Sequence, residues 1–319
     1  MKKLLITTDL VRPSALQRLE QAGFLIEQNT TGRLLTHQEL RQRVQDADAV
    51  LCSIGDSIDR AIIDAASRVK IFANFGVGFN NIDWQYARSK GIFVTNTPDV
   101  LTDATADITM MLILAVARRY REAERLMRDG KSFIGWATLR NLGIDLRGKT
   151  LGIVGFGRIG QAVAQRAKGF GMKILFTKRT PLTTDLGQQV SFETLLQESD
   201  VVSIHTPLTE STRHLFGRRE FEKMKPNAIL INTARGAIIN EADLVAALRA
   251  GRFFGVGLDV YEFEPTVTAE LFEFERVVMM PHIGAATVET REAMSRLCAD
   301  NLIAAFAGQT PPNLVWQTD

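Results

Sequence analysis

The sequence predicts an α/β protein with two doubly wound parallel-sheet domains. Three observations predict it. Short apolar runs alternate with helical patterns through the first hundred residues. A turn signal, Thr97-Pro98-Asp99, then interrupts the alternation, and a long apolar helix follows. From Lys149 the alternation restarts and continues to about residue 280. Parallel strands need crossover connections, usually helical, so strict alternation implies parallel sheets with helices on both faces. A chain of 319 residues fits two domains, each able to bury its own core.

In the first block, apolar runs predict strands at residues 3–7, 24–27, 49–53, 71–74 and 92–95. Helical patterns lie between them at 14–22, 37–45, 59–66 and 84–90. One long helix is expected over 102–128, capped by Thr102 with Asp103 at its positive end. Ile108, Met111, Leu112, Ala115 and Val116 give it helical apolar spacing. It reads as a connector into the second domain. Residues 130–148 read as loop and carry the aromatic Trp136. In the second block, strands are expected at 150–154, 173–177, 201–205, 228–232, 255–260 and 277–280. Helices are expected at 159–170, 192–198, 219–224 and 241–250. A last helix, 290–306, follows after that sheet is complete, so the tail can return to the first domain.

Composition excludes several classes of function. The net charge of +2, with both signs interspersed, offers no basic surface for nucleic acid. The apolar run at the N-terminus stops at Thr7-Thr8-Asp9, too early for a signal peptide, and the run 108–116 is too short to span a bilayer. A soluble cytoplasmic protein is expected. Two cysteines, Cys52 and Cys298, make neither a disulfide framework nor a zinc cluster, and inert buried thiols are expected.

Gly155-Phe156-Gly157-Arg158-Ile159-Gly160 falls between a strand and a helix, the context a dinucleotide-binding fingerprint needs. Gly155 permits the tight turn, Gly157 lets backbone approach the pyrophosphate, and Gly160 lets helix and strand pack closely. The helix N-terminus adds free N–H groups and partial positive charge. A Rossmann-type domain at 99–284 follows. At the end of the next strand, NAD-preferring domains usually carry Asp or Glu for the ribose hydroxyls. Here the chain reads Thr177-Lys178-Arg179-Thr180, with no carboxylate before Asp185. Two cations suit a 2′-phosphate, so NADP is expected over NAD.

Four histidines narrow the search for an acid–base group. His37 lies in a surface helix. His214 lies in a polar loop without an obvious partner. His205 closes a strand and reads as supporting structure. His282 follows the strand 277–280 at the edge where such sheets bind ligands, and it is the best candidate. Arg235 and Glu264 follow the two preceding strands.

With these positions in view, the motifs carry a resemblance. Ile231-Asn232-Thr233-Ala234-Arg235-Gly236, Gly257-Leu258-Asp259-Val260, Glu264-Pro265 and Pro281-His282-Ile283-Gly284 resemble the D-isomer-specific 2-hydroxyacid dehydrogenase family. His205-Thr206-Pro207-Leu208-Thr209 and Asn74-Phe75-Gly76-Val77-Gly78-Phe79-Asn80-Asn81-Ile82-Asp83 do so too. The resemblance covers nearly the whole chain. It is nearest to glyoxylate and hydroxypyruvate reductases, on the 76–83 loop, Trp136 and the cationic turn at Lys178. It implies that Arg235 holds the substrate carboxylate and polarises the ketone, that His282 gives the proton, and that Glu264 favours the imidazolium. It gives Asp259 to the nicotinamide carboxamide and the N–H groups of Val77 and Gly78 to the substrate carboxylate. Trp136 matches a position that reaches a partner subunit's substrate site. Together with the fingerprint, it implies a cofactor set of Gly155, Gly157, Arg158, Ile159, Gly160, Lys178, Arg179, Thr180, Pro207, Thr233, Asp259 and Gly284. It also implies a homodimer built around the second domain. A flavodoxin-like substrate domain would comprise 1–98 with 285–319. No metal is expected.

The expected reaction is reduction of a small 2-oxo acid, glyoxylate or hydroxypyruvate first, to the D-2-hydroxy acid. 2-Ketogluconate reductase and phosphoglycerate dehydrogenase are alternatives within the family. A dinucleotide-sensing scaffold, like corepressors built on this fold, is an alternative of another class.

Overall fold

The computed structural model describes residues 2–130 and 142–316, and Trp136 lies outside the described residues. The chain forms two compact units, Met1–Leu101 with Ala285–Asp319, and Thr102–Gly284.

The first unit holds a five-stranded parallel sheet of β1 (Lys2–Ile6), β2 (Phe24–Gln28), β3 (Ala49–Ser53), β4 (Ile71–Phe75) and β5 (Phe93–Thr95). Its order, β2-β1-β3-β4-β5, is the flavodoxin-like one. Every residue of β3 and β4 is buried. Helices cover both faces of such a sheet, so its central strands read as continuous apolar runs rather than alternating ones. The crossover helices start on side-chain caps. Thr36 and Glu39 make a capping box, and Asp59 and Asp83 accept from Ile62 and Tyr86 N–H. Residues Ala285–Asp319 belong to this unit. Thr287 caps the helix Val288–Phe306. Ser295 Oγ accepts from Arg12 N–H at 3.0 Å, and Phe306 meets Phe24 edge-on at 5.2 Å. Beyond the helix, Val315 N–H donates to Val94 and Asn96 N–H to Asn313, so the tail covers the β5 edge. Cys52 and Cys298 are both fully buried here, and burial pushes both thiols up, away from the reactive thiolate.

The second unit holds seven parallel strands: β6 (Thr150–Val154), β7 (Lys173–Thr177), β8 (Gln188–Gln189), β9 (Val201–Ile204), β10 (Ala228–Asn232), β11 (Phe253–Leu258) and β12 (Val277–Met279). Their order is β12-β11-β10-β9-β6-β7-β8. The chain direction across the sheet reverses between β6 and β9. Ligands bind such sheets in the crevice at the carboxyl ends beside that reversal. Two apolar clusters fill this unit, one gathering Leu195, Phe216, Phe221 and Leu244, the other Met110, Ile113, Val163 and Phe176.

The expected helix over 102–128 is in fact two, Thr102–Ala117 and Tyr120–Arg128. Arg119 breaks it with a left-handed φ of 52°. The Ala117 carbonyl accepts Ile144 N–H instead of continuing the helical ladder, and Glu122 pairs with Arg119 at 3.3 Å. The first segment is largely buried, and the second buries no residue. No helix among the described residues is long and apolar enough to cross a membrane.

Candidate active site

The glycine turn sits at the β6 end, and its three glycines answer three different needs. Gly155 has φ of 95°, and a Cβ there would lie 2.7 Å from the His205 carbonyl carbon and Thr206 N. A Cβ on Gly160 would lie 2.4 Å from the Gly155 carbonyl oxygen, so that glycine lets the helix pack on its own turn. A Cβ on Gly157 would meet nothing within 4 Å. Gly157 begins the helix Arg158–Gly169 with no side-chain cap. An open, uncapped helix N-terminus fits the pyrophosphate of a dinucleotide. Phe156 stacks on Phe176 at 3.8 Å, tying the turn to β7.

These differences predict different variants. Gly155→Ala is strained and collides with backbone, so it should lower the melting temperature by several degrees. Gly157→Ala should melt like the parent yet bind the dinucleotide about tenfold more weakly or worse, because the methyl group occupies the phosphate approach. Equal dinucleotide affinity in Gly157→Ala, measured by fluorescence titration, would remove the pyrophosphate from this turn.

Past β7, Lys178, Arg179 and Thr180 are exposed. Gln189 on β8 shapes the turn, donating to the Lys178 carbonyl at 2.8 Å and the Thr180 carbonyl at 3.3 Å. Neither Lys178 nor Arg179 makes an ion pair among the described residues.

The catalytic candidates follow β10, β11 and β12. His282 Nδ1 lies 2.8 Å from Glu264 Oε2, and Glu264 Oε1 accepts Tyr261 N–H at 2.8 Å. Burial pushes the Glu264 carboxyl up. The His282 hydrogen bond and charge, the Tyr261 amide and the Arg235 charge together outweigh that and hold it below the usual carboxylate range. Desolvation lowers the Arg235 pKa while Glu264 raises it, so these groups share one electrostatic neighbourhood. Arg235 Nη1 also donates to the Ala234 carbonyl at 2.7 Å, and Asn232 braces the turn by donating to the Arg235 carbonyl at 2.9 Å.

His282 itself has a left-handed φ of 55°. That conformation is uncommon for a residue with a side chain and persists only when its surroundings impose it. Asp259 imposes it: the buried carboxylate accepts from the Ile283 and Gly284 N–H groups, both at 2.8 Å. Burial raises the Asp259 carboxyl above its ordinary value, against those two amides and the His282 charge. Tyr261 completes the brace, its hydroxyl donating to the Met280 carbonyl at 2.8 Å. The sequence reading missed Tyr261; the available signal was an aromatic hydroxyl beside a buried strand end, where it needs a partner.

The remaining cofactor positions lie on the same unit. Thr233 Oγ1 is 2.9 Å from Thr109 Oγ1, and the Gly284 carbonyl accepts from Thr105 at 3.3 Å. Pro207 is exposed just past β9, its carbonyl accepting from Thr212 Oγ1 at 2.7 Å. Among the other histidines, desolvation pushes His205 down to about 3, so its ring stays neutral and cannot serve as the acid; it lies 2.8 Å from Ser203 Oγ. His37 is exposed, 2.9 Å from Asp59. His214, expected without a partner, lies 2.5 Å from Glu262. Glu262 and Glu241 exchange backbone N–H bonds, at 3.0 and 2.7 Å. The β11 loop is thus pinned to the helix Glu241–Arg249. Val77 and Gly78 belong to the other unit, in the loop after β4.

A doubly wound sheet with this glycine turn beside its reversal, and Arg, Glu and His past three successive strands, defines a nicotinamide-dinucleotide-dependent dehydrogenase. The profile described as "D-isomer specific 2-hydroxyacid dehydrogenase, NAD binding domain" matches residues 110–284, and the chain belongs to that family. It is 52% identical over 283 residues to a glyoxylate reductase of Thermococcus litoralis, covering 86% of each chain. Among solved structures, the TT0316 protein of Thermus thermophilus matches with a TM-score of 0.92 and 44% identity, over 98% of this chain and 99% of that one. An NADPH-dependent glyoxylate/hydroxypyruvate reductase of Sinorhizobium meliloti, in complex with NADP and malonate, matches with a TM-score of 0.87 and 33% identity, over 99% and 97%.

Proposed function

We propose that this enzyme reduces a small 2-oxo acid, glyoxylate or hydroxypyruvate first, to the D-2-hydroxy acid, with NADPH preferred. The observation that carries the reading is the 2.8 Å pairing of His282 with Glu264, in the electrostatic reach of Arg235. A reduced dinucleotide, when bound, would lie on the Gly155–Gly160 turn and would supply the hydride. Glu264 occupies Nδ1 of His282, which leaves Nε2 to give a proton to the ketone oxygen. The neutral imidazole left behind takes its proton back from water. Arg235 holds the carboxylate and polarises the ketone through its planar fork. The Val77 and Gly78 N–H groups receive the carboxylate. Asp259 keeps His282 in place and serves the nicotinamide carboxamide. The relatives named glyoxylate reductase support the substrate class.

NADPH preference rests on the exposed Lys178 and Arg179, their unengaged charge, and the absence of a carboxylate between β7 and Asp185. The relative bound to NADP supports it. The reading includes the homodimer and the cytoplasmic location expected of the family. The deciding experiment measures nucleotide oxidation across a panel of 2-oxo acids with NADPH and with NADH. We expect kcat/KM to favour NADPH by about tenfold or more, a 2′-phosphate contact of roughly 1.4 kcal/mol. Equal or better use of NADH overturns the cofactor preference. Strong turnover of 2-ketogluconate or phosphohydroxypyruvate above the small acids reassigns the substrate. Efficient turnover of none favours the dinucleotide-sensing scaffold.

A further inference from the structure

The loop after β4 has three consecutive carbonyls, those of Gly76, Val77 and Gly78, held by hydrogen-bond donors. Asn74, fully buried at the end of that strand, donates from Nδ2 to the Gly78 carbonyl at 2.8 Å and to the Gly76 carbonyl at 3.4 Å. Asn96, past β5, donates from Nδ2 to the intervening Val77 carbonyl at 2.8 Å. Thr97 N–H also donates to the Gly76 carbonyl, at 3.0 Å. The orientation of the Asn74 amide is fixed from its other end, where Oδ1 accepts from Asn81 Nδ2 at 3.3 Å.

A trans peptide is planar, and its C=O and N–H point in opposite directions. A carbonyl held inward therefore turns the N–H of the next residue outward. Three consecutive carbonyls are held, so the N–H groups of Val77, Gly78 and Phe79 each turn away from the donor that holds the preceding carbonyl. None of these three has an acceptor among the described residues. Successive N–H groups converging on one side form an anion-binding concavity. Gly76 also has no room for a side chain, since a Cβ would lie 2.4 Å from Ile54 Cγ2.

We propose that Asn74 is a positioning residue that orients three N–H donors, those of Val77, Gly78 and Phe79, toward the substrate carboxylate, with Asn96 as its companion. The proposal rests on the 2-oxo acid reading above and assigns that site its supporting device and a third donor. Asn74 touches neither substrate nor cofactor. It acts only through the direction of the backbone.

The test uses Asn74→Leu in the full-length enzyme, which keeps the side-chain volume and removes both donors. The measurements are KM and kcat for glyoxylate, the Ki of malonate as a carboxylate probe, and the Kd of the dinucleotide. The ratio of kcat/KM for pyruvate and methyl pyruvate is measured as well. Two misdirected charge-assisted hydrogen bonds should raise KM and the malonate Ki by roughly 10- to 100-fold. Dinucleotide Kd should stay within about twofold, and the acid-to-ester ratio should fall toward one. A purely structural defect would not erase discrimination between an acid and its ester. If Asn74→Leu does not fold, Asn96→Leu releases the central carbonyl and should show the same pattern. Parent-like KM, malonate Ki and acid-to-ester ratio in a folded variant overturn the proposal. A parent enzyme that reduces no 2-oxo acid overturns the underlying reading, and the assignment of Asn74 falls with it.

Discussion

His282→Ala is expected to lower kcat for 2-oxo acid reduction by about 10²- to 10⁴-fold, the usual contribution of a positioned acid–base group. The geometry explains why the loss should sit in kcat. His282 is held by Glu264 through Nδ1 and by Asp259 through the two amides that follow it. These contacts aim the imidazole without requiring it to bind the dinucleotide, whose turn lies at the β6 end of the same sheet. Dinucleotide Kd should therefore change by less than about threefold, a small fraction of the catalytic loss. Near-normal turnover in the variant would falsify the assignment of His282 as the acid. Glu264→Gln provides a graded companion. It keeps a hydrogen-bonding partner but removes the negative charge, so reductive activity should fall away at a lower pH than in the parent. The pH profile of kcat/KM separates the two variants.

Arg235→Lys carries the second large effect. Lysine preserves the charge and loses the planar fork. If the fork holds the carboxylate and the ketone together, losing one charge-assisted bond of roughly 1.5–3 kcal/mol should cost about 10- to 100-fold in kcat/KM. Arg235→Ala should cost more, because Glu264 then loses its cation as well. KM for the 2-oxo acid should rise in both variants while dinucleotide affinity holds. A lysine variant with parental kcat/KM would show that charge alone suffices and that the fork is unused.

Burial explains which parts of the architecture were readable in advance. Residues 49–53, 150–154, 173–177 and 228–232 form strands with the expected boundaries, because these runs are apolar and lie within parallel sheets. The strand Gln188–Gln189 was invisible, since it is short and polar at the sheet edge. The break at Arg119 was invisible for the opposite reason. Apolar spacing before it and good helix formers after it both favour helix, and the contacts at the break, Ile144 N–H on the Ala117 carbonyl among them, are tertiary.

At the site, Arg235, Glu264 and His282 were visible because each follows a recognisable strand. Their supports were harder to see. Glu262 lies 48 residues from His214, and nothing local pairs them. Asp259 was assigned to a ligand from family precedent, and its bonds to Ile283 and Gly284 emerge only when two strand ends meet.

The interrupted course of the first unit has a consequence for the order in which the protein is made. Its five strands are translated before the second unit, yet the helix Val288–Phe306 that closes one of their faces comes nearly two hundred residues after Leu101. The bond between Arg12 and Ser295 spans 283 positions. The second unit is one uninterrupted stretch and can fold as soon as residue 284 clears the ribosome. During synthesis the first-made unit should therefore be the last to close, its apolar sheet face available to chaperones in the interval.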